Sequence, residues 1–127
     1  MRKRMETLVR VTSKKSRFFP TAAPQSTFFN VHAILYMSSE GNYVNVVYEG
    51  EKIESVMLRS SLKRIEEQLR GYPFLFRCHR AFIVNINKIK EASGNAQGIR
   101  LSLEGVNRRI TVSRSYYKAF KKIVDIA

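Results

Sequence analysis

The stretch of sequence that decides the fold is residues 74–91, which read Phe-Leu-Phe-Arg-Cys-His-Arg-Ala-Phe-Ile-Val-Asn-Ile-Asn-Lys-Ile-Lys-Glu. The apolar run Phe82-Ile83-Val84 predicts a short buried strand. Cationic and aromatic groups precede it at Arg77, His79 and Arg80, and amides and lysines follow it at positions 85, 87, 88 and 90. A strand with such side chains at both ends suits contacts to phosphates and to base edges.

On both sides of this stretch the sequence predicts short strands joined by tight turns. The β-branched and aromatic run Tyr43–Tyr48 predicts a strand, and Ile99–Leu103 alternates apolar with polar residues as a half-buried strand does. Turn-forming residues occupy 38–42, 49–52, 93–98 and 104–105. The same reasoning predicts further strands within residues 31–37, 53–58, 89–92 and 108–112.

Two short helices are predicted between the strands. Ser60 or Ser61 can cap the first, whose apolar face carries residues 58, 62, 65 and 69, and Gly71 ends it before Pro73. Ser113 is expected to cap the second, with residues 117, 120, 123 and 124 on its apolar side. Many strands with only two helices indicate a mainly β fold.

The expected domain division places a basic N-terminal tail or linker at residues 1–27 and one folded domain at residues 28–127. Residues 1–27 lack sustained periodicity, and residues 21–27 have the composition of a loop. No internal repeat is visible in the sequence. A chain of 127 residues can bury one core but not two.

The charge of the chain favours a polyanionic partner. The net charge is +13, and the folded part is itself basic, because residues 28–127 hold sixteen basic and nine acidic groups. Residues 108–122 contain six basic groups and no acid. Such a field attracts nucleic acid above all, although a merely soluble basic protein remains an alternative.

Other function classes find little support in the residues. The one cysteine, Cys78, allows no intrachain disulfide and fits a reducing, cytoplasmic location. His32, His79 and Cys78 lack the spacing of metal ligands, and paired carboxylates, a nucleophile elbow and a phosphate-binding glycine loop are missing. We therefore expect no catalysis, no cofactor, no metal and no membrane insertion.

Residues 75–85, Leu-Phe-Arg-Cys-His-Arg-Ala-Phe-Ile-Val-Asn, resemble the signature of the LytTR family of bacterial DNA-binding domains, in which a pattern like Phe-x-Arg-x-His-Arg-Ser-x-x-Val-Asn recurs. Leu75 replaces the leading aromatic residue, and Ala81 replaces a small hydroxyl residue that could bond a phosphate. Weaker matches, at residues 34–36, 41–44 and 112–114, occur in the expected order. The resemblance covers about residues 28–124 and implies an elongated arrangement of three short antiparallel sheets.

The resemblance also implies a set of DNA contacts. The base-contacting residues are expected to be Asn42, Arg80 and Arg114, since an amide can pair with adenine and a guanidinium with guanine. The phosphate-contacting residues are expected to be Arg77, Lys88, Ser113 and Lys118. Ordinary alternatives remain open: a turn residue for Asn42, a surface ion pair for Arg80 and a solvated helix-start residue for Arg114. His79 is either a DNA contact or a structural side chain.

The function implied is sequence-specific double-stranded DNA binding for transcription regulation, with loops in major grooves, as the output domain of a two-component system. Its partners would be DNA with imperfect direct repeats and a second protomer on that DNA. A receiver domain or sensor kinase would lie outside this chain, whether the chain is a free-standing regulator or part of a longer one. The alternative is a basic protein that binds RNA or DNA without sequence preference.

Overall fold

The computed structural model describes residues 8–12 and 26–124, and within them Val11 and residues 28–124 in full side-chain detail. The described part contains ten strands, at Leu8–Thr12 (β1), Ser26–Asn30 (β2), Ile34–Glu40 (β3), Tyr43–Glu49 (β4), Ile53–Arg59 (β5), Leu75–His79 (β6), Phe82–Asn85 (β7), Ile89–Asn95 (β8), Gly98–Leu103 (β9) and Ile110–Val112 (β10). The helices are Leu62–Gln68 (α1) and Tyr117–Val124 (α2), and short 3₁₀ turns occupy Val31–Ala33, Ile86–Lys88 and Arg114–Tyr116.

The strands form three sheets, as the family resemblance implied. A central five-stranded sheet has the order β5-β4-β3-β7-β6, a three-stranded sheet has the order β10-β9-β8, and β1 pairs with β2. Every pairing is antiparallel. The mainly β fold with two helices is therefore confirmed.

Each face of the central sheet has its own apolar core. One face packs against α1 and the β1–β2 pair, through residues that include Met37, Val44, Ile65 and Ile83. The other face packs against the three-stranded sheet and α2, through residues that include Tyr36, Val84, Leu101 and Phe120. The two cores hold all three sheets and both helices in one packed unit.

The first helix forms where its local signals predict it. The side-chain oxygen of Ser61 accepts a hydrogen bond from the backbone N–H of Arg64 at 3.2 Å, which caps the first turn. Leu62, Ile65 and Leu69 are buried on one face. Such a cap contributes about 1 kcal/mol, and burial of the apolar stripe against the sheet supplies the rest of the stability.

Several boundaries differ from the sequence predictions. The turns expected at residues 38–42 and 93–98 shrink to two residues each, because strand pairing continues as far as Glu40–Tyr43 and Asn95–Gly98. Strand β6 was not predicted, since its pattern is interrupted by a register shift between Arg77 and His79. Ser113 makes no side-chain cap, and a 3₁₀ turn precedes α2.

The N-terminal segment is not a tail throughout. Leu8–Thr12 form β1, which pairs with β2, and Val11 is fully buried in the core that also contains Phe29. The sequence offered only a short Val-Arg-Val alternation here. The rest of the segment expected at residues 1–27 lies outside the described residues, apart from the start of β2.

Candidate nucleic-acid interface

Two of the expected base-contacting residues lie on neighbouring turns at one end of the central sheet. Asn42 lies in the turn between β3 and β4, and Arg80 lies in the turn between β6 and β7. Strands β3 and β7 are adjacent, and the backbone N–H of Ser39 donates to the carbonyl of Ala81 at 2.9 Å. This bond ties the two turns together.

The three-stranded sheet brings two further segments to the same end. The backbone N–H of Ser113 donates to the carbonyl of Cys78 at 3.0 Å, so the junction after β10 lies against the end of β6. Val112 pairs with Ile99, which places the β8–β9 turn beside this junction. We call the group of residues 41–42, 80–81, 96–97 and 113–114 the loop end.

The three expected base-contacting side chains are all exposed at the loop end. Within the described residues, the side chains of Asn42 and Arg80 make no hydrogen bond or ion pair. One guanidinium nitrogen of Arg114, Nη1, donates to Oε1 of Gln97 at 3.3 Å. Lys118 is exposed in the first turn of α2, close in sequence to Arg114. The geometry therefore brings Asn42, Arg80, Ser113 and Arg114 to one end of the molecule, and Lys118 follows Arg114 in the chain.

Arg77, by contrast, is used inside the protein. Its Nη1 forms an ion pair with Oε1 of Glu66 on α1 at 2.8 Å, while Nε and Nη2 donate to the carbonyls of His79 and Arg80, both at 3.0 Å. Only 15% of its side chain is exposed. These bonds fix the β6–β7 turn that presents Arg80, so Arg77 supports the loop end from within.

His79 has a structural partner as well. Its Nδ1 accepts a hydrogen bond from the backbone N–H of Ala81 at 3.0 Å, and its ring packs against Phe82. Partial burial lowers the pKa of His79, and the positive charges of Arg80 and Arg77 lower it further. The neutral ring that accepts this bond is thereby favoured, and it helps to shape the same turn.

Lys88 lies away from the loop end. Its Nζ pairs with Oε1 of Glu49 at 2.9 Å, and Glu49 stands opposite Ile53 at the far end of β4. The structure therefore separates this expected phosphate contact from the other expected contacts.

Two basic residues beside the loop end were not predicted as DNA contacts from the sequence. The guanidinium of Arg108 lies 5.0 Å from the ring centre of Phe82 and 3.6 Å from Oε2 of Glu40. Arg59 lies over the ring of Tyr43 at 5.9 Å. Arg108 belongs to the acid-free basic run at residues 108–122. Its partners, Phe82 and Glu40, are distant in the chain, so that run does not predict these contacts.

Other chemistry finds no support in the geometry. Burial raises the pKa of the Cys78 thiol to about 12, so this sulfur stays protonated and is a poor nucleophile. Among residues 8–12 and 26–124, no group of three or more His, Cys, Asp or Glu side chains is arranged to hold a metal ion. Neither helix in the described part of the chain has the length and apolarity needed to cross a bilayer.

Comparison with known proteins shows which family the chain resembles. The LytTr DNA-binding domain family matches residues 25–125. An uncharacterized response regulatory protein of Yersinia pestis is 31% identical over 112 residues, which make up 87% of this chain and 44% of that protein. The chain thus spans less than half of that relative.

Among solved structures, the chain is similar to the LytTr DNA-binding domain of a Bacillus cereus protein described as a methyl-accepting/DNA response regulator. The TM-score is 0.67 at 26% identity, and the match covers 91% of this chain and 96% of the other. The three-sheet architecture is therefore shared with a domain of this kind.

Proposed function

The chain belongs to the LytTR family of DNA-binding domains, and from this membership we propose that it binds double-stranded DNA sequence-specifically, with its loops in the major groove. Its role is DNA binding in transcription regulation. The observation that carries the proposed specificity is the loop end, where exposed amide and guanidinium groups from separate segments lie at the same end of the molecule. An enzymatic function has no comparable support.

Three side chains supply the proposed base contacts. Asn42 offers a carboxamide, which can pair bidentately with adenine, while Arg80 and Arg114 offer guanidinium groups that fit the O6 and N7 acceptors of guanine. All three are exposed. The bonds from Arg77 and the ring of His79 hold the Arg80 turn in place, so little conformational entropy is lost when that turn meets DNA.

The phosphate contacts in this proposal come from residues near the three proposed base-contacting side chains. Ser113 offers a hydroxyl at the β10–α2 junction, and Lys118 follows one turn later. Arg108 and Arg59 add positive charge near the β3–β4 turn. Arg77 and Lys88 are engaged in ion pairs with Glu66 and Glu49, and we assign them to the protein scaffold.

The proposed partner is DNA that carries imperfect direct repeats, with two protomers bound side by side. The chain spans 44% of the response regulatory protein it matches. In such a regulator, the remaining residues would form a receiver domain that responds to a sensor kinase. A cytoplasmic location follows from this role. Each of these points rests on the family and on the relative rather than on a contact within the chain.

Selection of bound sequences from random duplex DNA tests the proposal. A common motif should emerge, and binding to it should survive excess random DNA, because specific complexes are typically at least about 1,000-fold tighter than non-specific ones. Arg114→Ala should lose about 1–3 kcal/mol of discrimination at its base pair. If no motif emerges and all duplexes compete equally, the chain is instead a basic protein that binds nucleic acid without sequence preference.

A further inference from the structure

The fold contains one structural unit twice. In each copy a strand ends at an asparagine, which is followed by a 3₁₀ turn, an isoleucine and a long two-stranded hairpin. The side chains of Asn30 and Asn85 accept from the N–H groups two residues later, at 3.0 and 2.9 Å. Ile34 and Ile89 then start β3 and β8. The repeat is hard to recognise in the sequence because the two copies have few other side chains in common.

The two hairpins agree residue by residue. Ile34 pairs with Tyr48 and Glu40 with Tyr43, while in the second copy Ile89 pairs with Leu103 and Asn95 with Gly98. The numbers differ by 55 throughout, and each hairpin has a register shift at the same place. The second residue of the two-residue turn is Asn42 in the first copy and Gln97 in the second. Both are carboxamides, and both are exposed at the loop end.

The second hairpin tip is held in a defined shape. The side chain of Asn95 accepts from the backbone N–H of Gln97 at 2.9 Å. Gly94 has a φ of 126°, and a Cβ at this position would collide with the carbonyl of Gly98 and lie 2.9 Å from the Cα of Ile99. The backbone of Gln97 is therefore fixed before its side chain meets any partner.

From that fixed position, Gln97 contacts a proposed base reader. Its Oε1 accepts from Nη1 of Arg114 at 3.3 Å. A guanidinium has five N–H donors, so this bond leaves donors available for a guanine. The bond also restricts the arginine, an otherwise exposed side chain that loses rotamer freedom on binding.

We infer that Gln97 is a positioning residue for base recognition, which orients the Arg114 guanidinium from the hairpin tip equivalent to that of Asn42. This inference rests on the proposed function. It adds the β8–β9 turn, which the expected contacts did not include, to the surface that sets sequence specificity.

Competition binding with single-base variants of the selected DNA motif tests the inference. Gln97→Ala should relax discrimination about two- to tenfold, the range expected for one hydrogen bond, and only at the base pair where Arg114→Ala also relaxes it. The slope of log affinity against log salt should not change, because no charge is removed. Gln68→Ala, which removes an exposed glutamine at the end of α1, serves as the control and should leave binding unchanged.

The double variant decides how Gln97 acts. If it works through Arg114, then Gln97→Ala should have no further effect on discrimination in an Arg114→Ala background. Additive losses, or unchanged discrimination by Gln97→Ala alone, would overturn the inference. Failure of the wild-type chain to select any motif would instead reject the proposed function, so the two failures are distinguishable.

Discussion

At the scale of single residues, the structure separates exposed groups at the loop end, which we propose to contact DNA, from groups that hold the protein together. Asn42 belongs to the first kind. In its turn, the residue with the left-handed backbone conformation is Gly41, with a φ of 65°. Among the described residues, only glycines have a positive φ. We therefore expect Asn42→Ala to weaken binding to the selected motif while leaving the melting temperature unchanged. A variant that melts early but binds normally when folded would make Asn42 a turn residue only.

Arg77 belongs to the second kind, and Lys88 is its matched control. Arg77→Ala removes three hydrogen bonds at a largely buried site and should lower the free energy of unfolding by roughly 1–3 kcal/mol. Lys88→Ala breaks one exposed ion pair and should change it by less than about 1 kcal/mol. Chemical denaturation measures both. Equal, small effects would make Arg77 a candidate for phosphate binding again.

His79 gives the stability a dependence on pH. Its pKa is lower in the folded chain than the ordinary 6.5, so below about pH 6.5 the unfolded chain binds more protons and the folded state loses stability. In His79→Asn, an amide oxygen can take the place of Nδ1 without titrating. We expect wild type to lose more stability than this variant between pH 7 and about pH 5. Parallel curves would show that His79 does not contribute.

At the scale of elements, local signals determined what the sequence could predict. The capped helix α1 and the hairpin of β4 and β5 follow from residues that are neighbours in the chain. Strand β1 was missed because its partner β2 lies well separated along the chain, and β6 was missed because a register shift interrupts its pairing with β7. The repeated unit was missed because its two copies share pairing geometry but few side chains. The expected contacts from Asn42, Arg80 and Arg114 required the family resemblance, since no periodicity places three loops together.

The hairpin of β8 and β9 offers a prediction at this scale. Gly94→Ala should destabilise the chain and loosen the β8–β9 turn, because a Cβ there collides with backbone in a conformation that alanine rarely adopts. Gly98→Ala is the control in the same hairpin, since its Cβ would meet no atom within 4 Å. Thermal unfolding of the two variants gives the comparison. Equal melting temperatures would contradict a rigid turn.

At the scale of the whole molecule, affinity and specificity should come from different parts of the chain. The net charge of +13 attracts DNA of any sequence, whereas the proposed base contacts lie only at the loop end. The segment before β1 carries Arg2, Lys3 and Arg4. Deleting all of residues 1–27 would also remove β1 and its buried Val11, so charge neutralisation is the cleaner change.

We expect replacement of Arg2, Lys3 and Arg4 by glutamine to weaken binding to selected and random DNA by the same factor. The slope of log affinity against log salt should flatten by about 0.9 for each phosphate that the variant no longer neutralises, because fewer counterions are released. The ratio of the affinity for selected DNA to the affinity for random DNA should stay constant, because the variant retains Asn42, Arg80 and Arg114. A lost preference at an unchanged slope would mean that this segment itself reads bases in a groove, and the division between attraction and recognition would then fail.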